Sequence, residues 1–482
     1  MPAVARHVVI IGGGITGLAA AHALTESARR NSSGGAGISC TLIEASPRLG
    51  GKILTDRADG FVIEGGADSF LAQKPWGIDL CRRLGLTDNL MTTNPEHRKT
   101  FVLLQGRLQE LPEGVVMGVP GKLGPFLRTQ LLSWPAKFRI AAEFFIPPSC
   151  HAEDESLATF FRRRLGQEAL DRMIEPLLSG IYTADADQLS LLATFPRFRD
   201  MELRHGGLLR AMLVAKWREW RAGETSAAAT PFVTLRDGLC HLVQTLAKRL
   251  ERTTVLLNSP VLELRPQDGN GYELIMCDRS LSADAVILAT PAYGAAGLLA
   301  PVDRVLSEDL AGIPYAGSVT VSLGFRKHDL GHKLDGYGFV VPRVENRLAM
   351  ASTWTSSKWD HRAPDDAVLI RCYLGGEGRE AVLKRTDAEI IELAQMELRL
   401  ILGIQQSPVL ARVYRWPRAM PQYRVGHLQR LEAIGGRLEH LPGVFLAGAG
   451  YRGVGIPDCI RDGMAAAENV GRYFDKVMPT FV

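Results

Sequence analysis

Residues 8–17 read Val-Val-Ile-Ile-Gly-Gly-Gly-Ile-Thr-Gly and lead into Leu-Ala-Ala-Ala-His-Ala-Leu, and no other stretch limits the fold so strongly. The β-branched run predicts a buried strand, the glycines a tight turn, and the alanine-rich run a helix. Each glycine answers a different need. Gly12 permits the turn, Gly14 leaves the backbone open to a pyrophosphate, and Gly17 lets the helix close on the strand. The helix start then offers free N–H groups and a positive dipole end to the phosphates. A second strand, Cys40-Thr41-Leu42-Ile43, ends on Glu44, where a carboxylate meets the ribose hydroxyls of a dinucleotide.

Two further glycine segments select the dinucleotide. Arg48-Leu49-Gly50-Gly51-Lys52 and Glu64-Gly65-Gly66-Ala67-Asp68-Ser69-Phe70 add close-approach backbone that a nicotinamide fold does not need. A buried run at 284–291 ends in Ala-Thr-Pro. Val444-Phe445-Leu446-Ala447-Gly448-Ala449-Gly450 precedes Gly453-Val454-Gly455-Ile456-Pro457 and a helix expected from Asp458. That helix start would face the flavin pyrimidine, where negative charge builds on reduction. The expected cofactor is FAD, with no metal.

At 482 residues the chain should hold two or three domains. Its net charge of +4 is too mild for a nucleic-acid partner, and Arg162-Arg163-Arg164 reads as a solvated helix face. Seven scattered cysteines, none in a Cys-x-x-Cys pair, suggest free thiols in a reducing cytoplasm. No run has the length of a membrane span. Cofactor elements at both ends and in the middle place the FAD-binding domain at 1–73, 226–296 and 430–482. A substrate-binding domain is expected at 74–110 and 297–429, and a helical domain at 111–225. Polar stretches at 29–37 and 222–231 read as connections. Leu157, Phe160, Phe161 and Leu165 have helical spacing, while 298–420 alternates like an antiparallel sheet before a helix at Asp387–Leu402.

With Glu175-Pro176-Leu177-Leu178-Ser179-Gly180-Ile181-Tyr182, Thr353-Trp354-Thr355, Met420-Pro421-Gln422-Tyr423 and Gly453-Val454-Gly455-Ile456-Pro457-Asp458-Cys459, the chain resembles the FAD-dependent porphyrinogen oxidases end to end. The bacterial coproporphyrinogen III oxidases resemble it most. The resemblance implies an α/β fold: a Rossmann-like FAD domain of the amine oxidase (GR2-like) type, an inserted α+β substrate domain, and a helical domain acting as lid or membrane face. It implies FAD contacts at Gly12, Gly13, Gly14, Ile15, Thr16, Gly17, Glu44, Ala45, Gly51, Lys52, Gly66, Ala67, Asp68, Ser69, Val261, Trp416, Val454, Gly455 and Ile456. Ala67 stands where the family usually has proline. Thr100 stands where plant and mitochondrial protoporphyrinogen oxidases carry a propionate-pairing arginine, which favours the four-propionate substrate.

The implied reaction removes six electrons from a porphyrinogen in three hydride transfers to FAD, with molecular oxygen as acceptor and peroxide as product. Positioning provides most of the acceleration, so no dedicated acid or base is expected. Lys74, Arg98 and Lys99 are candidates for the cationic rim, and Gly180, Ile181 and Tyr373 for the walls. Protoporphyrinogen IX oxidase and flavin amine oxidase are the competing activities. Residues 115–147 mix aromatics with Lys122, Arg128, Lys137 and Arg139, which suits either a peripheral dock on the inner face of the cell membrane or a lid packed on its own core. A handover to a ferrochelatase-type enzyme is the remaining expected partnership.

Overall fold

The computed structural model describes residues 6–30, 37–112, 115–116, 119–120, 123–149, 153–222, 231–267 and 271–477. Residues 223–230 of the proposed connection and parts of 29–37 and 115–147 lie outside them. At its centre is a five-stranded parallel sheet in the order Thr253–Leu256, Ile38–Ile43, Arg6–Ile11, Ala285–Leu288, Val444–Leu446. Along its middle strand Val8 and Ile10 enter one hydrophobic cluster, and Val9 and Ile11 enter another. Both faces are therefore covered, as a parallel sheet requires. The helices Ile15–Arg30, Cys240–Lys248 and Ile456–Val477 pack on one face. Strands from Val261–Pro266 to Ser280–Ala283 and the helices Ala292–Leu299, Arg304–Ala311 and His427–Leu438 cover the other. The first and last helices touch backbone to backbone: a Cβ on Gly463 would sit 2.2 Å from the Thr16 carbonyl oxygen.

The nucleotide core reaches beyond the segments expected from the sequence. Leu80 and Cys81 of the helix Pro75–Arg83 belong to it, as do Leu306 and Leu310 of Arg304–Ala311. An amphipathic stripe states that one face is buried. It does not state against which sheet.

A seven-stranded sheet stands over the first, in the order Leu410–Pro421, Tyr315–Arg326, Ala367–Gly375, Ala349–Trp354, Gly338–Val340, Thr100–Leu104, Arg107–Glu110. All its pairs are antiparallel except Gly338–Val340 with Thr100–Leu104. The helix Asp387–Leu402 covers one face with Ile390, Ala394 and Leu398 against Val319, Val321, Ile370 and Cys372. It starts where expected because Thr386 and Glu389 form a reciprocal capping box. The period-2 alternation then sends Thr320, Arg371, Tyr373 and Trp416 to the opposite face, toward the nucleotide domain.

The third part is helical. Leu157, Phe160, Phe161 and Leu165 are fully buried on Leu157–Leu165. The expectation of a solvated face at Arg162-Arg163-Arg164 fails. Only Arg162 is well exposed, while Arg164 is fully buried and ion-paired with Glu143, which is buried too. Arg164 also donates to the Ile146, Pro147 and Gly206 carbonyls at 3.0, 3.1 and 3.0 Å. Arg163 pairs with Glu155 and Glu202. Glu143 and Glu202 come from positions well away in the chain, so spacing within 162–164 had no way to show them.

Candidate active site

The glycine turn lies at the carboxyl ends of the parallel strands, where α/β sheets bind ligands. Gly12 has φ +112°, and a Cβ there would lie 2.8 Å from the Ala289 carbonyl oxygen. A Cβ on Gly17 would lie 1.9 Å from the Gly12 oxygen, so only glycine allows this helix–strand contact. Gly14 is the opposite case: nothing stands within 4 Å of where its Cβ would be. That space lies over the helix start at Ile15 and Thr16, as a pyrophosphate cradle requires. Thr290, whose backbone packs on Gly12, keeps its hydroxyl buried without a partner. The open cradle and the orphaned hydroxyl fit a dinucleotide.

Glu44 leaves the second strand half-buried, beside exposed Ala45. Its carboxylate accepts from the Gly13 N–H at 2.7 Å and the Ser46 N–H at 2.9 Å. Ser259 N–H donates to the Glu44 carbonyl, which brings the partly exposed Val261 to the same sheet end. Residues 48–53 fold back over the turn, with Gly50 N–H donating to the Gly13 carbonyl. Gly51 adopts φ +56° and approaches Gly14, a Cβ on it lying 3.2 Å from the Gly14 Cα. Arg48 holds this loop by donating to the Leu49, Gly51 and Ile53 carbonyls. The glycine pattern marks the loop, but only the fold shows Arg48 as its clamp. Lys52 donates to the Ala419 carbonyl and lies 5.8 Å over the Tyr315 ring. Its side chain keeps accessible surface, yet the protein packed around it desolvates the ammonium and pushes its pKa down.

The 65–69 turn is where the two sheets meet. The Gly65 carbonyl accepts from Thr320 Oγ1 at 2.7 Å, Trp416 Nε1 at 2.8 Å and Arg371 Nη2 at 3.2 Å, and Arg371 also donates to the Gly66 carbonyl. A Cβ on Gly66 would lie 1.8 Å from the Lys52 carbonyl oxygen. Ala67 follows, half-buried. Burial opposes ionisation of Asp68, but Lys358 at 3.5 Å, Arg371 and the Ser69 hydroxyl outweigh it and hold the carboxyl at about 2. Beneath them Glu64 is pushed up to about 7 by burial, against the opposing pull of Arg362.

The Met-Pro-Gln-Tyr segment closes the loop before the last helix. Tyr423 donates to the Ala449 carbonyl at 2.6 Å and accepts from the Gly453 N–H at 2.9 Å, while its ring stacks on His427. Gln422 donates to the Tyr182 and Met420 carbonyls. Val454 and Gly455 lie on the loop, and the helix starts at Ile456, two residues before the expected Asp458.

Tyr373 faces the same side, its OH 3.4 Å from Thr353 Oγ1. Gly180 is exposed on the helix Glu175–Tyr182, 3.7 Å from Val340 when given a Cβ. Ile181 shares that helix, and its side chain lies outside the described residues. The rim cations differ from the expected free charges. Lys74 Nζ is 2.5 Å from Asp458 Oδ2, at the start of the last helix. Lys99 sits 2.6 Å from Asp335, which also meets His97. Each finds its carboxylate hundreds of residues away, beyond the reach of a sequence pattern. Arg98 is exposed beside Lys99. Arg371 is a buried cation of this site, and nothing in its local sequence marks it.

A dinucleotide cradle with a mixed sheet closed over its second glycine turn defines an FAD-dependent oxidoreductase. The chain belongs to the flavin containing amine oxidoreductase family, whose model matches residues 15–471. It is 40% identical to coproporphyrinogen III oxidase of Bacillus subtilis (strain 168), over 97% of this chain and 98% of that one. It is 29% identical to the chloroplastic protoporphyrinogen oxidase of Oryza sativa subsp. japonica, over 97% and 88%. A crystal structure from Exiguobacterium sp. 255-15, described as a protoporphyrinogen oxidase, superposes with a TM-score of 0.84 at 34% identity, covering 96% of this chain and 98% of that one.

Proposed function

We propose that this enzyme oxidises coproporphyrinogen III to coproporphyrin III in haem biosynthesis, with molecular oxygen as acceptor and hydrogen peroxide as product. The observation that carries this reading is the end-to-end similarity to a coproporphyrinogen III oxidase, with both glycine turns and the closing Tyr423 loop in place. Bound FAD supplies a two-electron acceptor, so six electrons leave the macrocycle in three rounds. Three groups of residues would hold it: Gly14 and its neighbours at the pyrophosphate, Glu44 and Val261 at the adenosine, and the 65–69 turn with Trp416 at the ring. Gly180 and Tyr373 would form walls for an apolar macrocycle, and Lys74, Arg98 and Lys99 would meet its propionates. Thr100 in place of a single arginine clamp favours four carboxylates met diffusely. Exposed pairs contribute only about 0–1 kcal/mol each, so the preference should be modest.

Among the described residues no helix is long and apolar enough to cross a membrane. The 115–147 segment divides in two. Phe126, Leu131, Leu132 and Ile140 are core, and Lys137 and Arg139 are spent on backbone carbonyls. Trp134, Phe138 and Phe145 stay 60%, 70% and 80% exposed. Exposed aromatics of this density support a peripheral contact of a cytoplasmic enzyme, with a membrane surface or with the enzyme that receives the product. Purified holoprotein mixed in air with coproporphyrinogen III or protoporphyrinogen IX, followed by porphyrin fluorescence and peroxide release, tests the activity. A higher kcat/KM for protoporphyrinogen IX would overturn the substrate assignment.

A further inference from the structure

The charges beneath the 65–69 turn do not balance. Two carboxylates and three cations meet there: Glu64 faces Arg362 at 3.8 Å, and Asp68 faces Lys358 at 3.5 Å. Arg371 is the remaining cation. It is 3% exposed, and no carboxylate oxygen of the described residues comes within ion-pair distance. Its Nη2 donates to the Gly65 and Gly66 carbonyls, its guanidinium lies 4.8 Å from the Tyr373 ring centre, and its Nε is buried without a partner. A buried cation whose hydrogen bonds go only to neutral carbonyls, with Asp68 and Glu64 acting on it from beyond ion-pair distance, is costly. That cost falls when a negative charge arrives next to it.

We infer that Arg371 is a positioning residue that holds the 65–69 turn to the substrate sheet and stabilises the negative charge that reduction places on the cofactor. The inference rests on assigning this turn to the FAD ring. Two electrons and one proton taken up by the bound cofactor leave it one negative charge richer. In a dry site such a charge is stabilised by a fixed guanidinium whose hydrogen bonds are already aimed. Asp68 opposes the effect, because its ionised carboxylate lies near the same group. The two side chains therefore act with opposite sign on one equilibrium.

The test is the two-electron midpoint potential of the FAD-loaded enzyme, equilibrated with a reference dye under dithionite titration and without substrate. FAD content is measured separately by absorbance after denaturation. Arg371→Met should shift the reduction equilibrium at least tenfold toward the oxidised form, about 30 mV for a two-electron couple. Arg371→Lys should stay within threefold of wild type, and Asp68→Asn should shift the equilibrium in the opposite direction. A structural disturbance alone would not give opposite signs. Equal-sign shifts, or shifts under threefold with FAD still bound, overturn the charge role. Should Arg371→Met not fold, Asp68→Asn decides alone: an unchanged or lowered potential overturns the inference. Arg371→Lys and Asp68→Asn proteins that keep full FAD while a Gly66→Val protein also keeps it would overturn the assignment of the turn itself.

Discussion

Gly14 and Gly17 lie three residues apart in one turn, yet a side chain at each should fail in a different way. At Gly14 a Cβ meets open space, and the backbone is not in the left-handed region. Gly14→Val should therefore fold, with a stability in the absence of FAD within about 1 kcal/mol of wild type, since loss of glycine's unfolded-state freedom offsets much of the strain. What it fills is the space for the pyrophosphate. FAD at a hundredfold excess over Kd should stabilise the wild type by about 2.7 kcal/mol and the Gly14→Val protein not at all. At Gly17 the Cβ would sit 1.9 Å from the Gly12 carbonyl oxygen, so helix and strand would have to separate. A core disrupted in this way costs several kcal/mol, about 3 or more, and Gly17→Val should be insoluble or unfolded. Urea denaturation of apoprotein with and without added FAD, together with flavin absorbance, reads both. A Gly14→Val protein that keeps stoichiometric flavin would refute the cradle. A stable Gly17→Val protein would refute the close approach.

Arg164→Met should destabilise the enzyme by about 3–5 kcal/mol by leaving Glu143 buried and unpaired, and Arg164→Met with Glu143→Gln should recover part of that in urea melts. Tyr423→Phe removes the donor to Ala449 and the acceptor for Gly453, two hydrogen bonds worth about 1 kcal/mol each. It should weaken FAD binding up to roughly thirtyfold in a reconstitution titration, and an unchanged Kd would separate the loop from the cofactor. Burial raises Glu64 from an ordinary carboxyl value to about 7, so the folded chain keeps a proton that the unfolded chain releases. This contribution is full below about pH 4.5 and is lost as pH rises to about 7, with a slope of at most about 1.4 kcal/mol per pH unit. Glu64→Gln should flatten denaturation free energies across that window.

Elements with a local cause are legible in the chain alone. The strand and glycine turn at residues 8–17 can be read because Gly12 and Gly17 answer backbone requirements that no side chain meets, and those requirements leave a fixed spacing. The helix Asp387–Leu402 is legible to the residue because its capping box lies within four positions. The fold class and the cofactor follow from such signals. Features that depend on which distant residue arrives beside another emerge only in the folded molecule. Arg164 has the look of a solvated run and is a buried ion pair because Glu143 comes from another helix. Lys74 and Lys99 have the look of free rim charges, and Asp458 and Asp335 meet them. Arg371 has no local signal, being one charged residue in an alternating strand. Its role arises because the pleat turns it toward Gly65 and Gly66, some three hundred positions earlier. Backbone demands are written in neighbouring residues, whereas charge and burial are properties of the assembled environment.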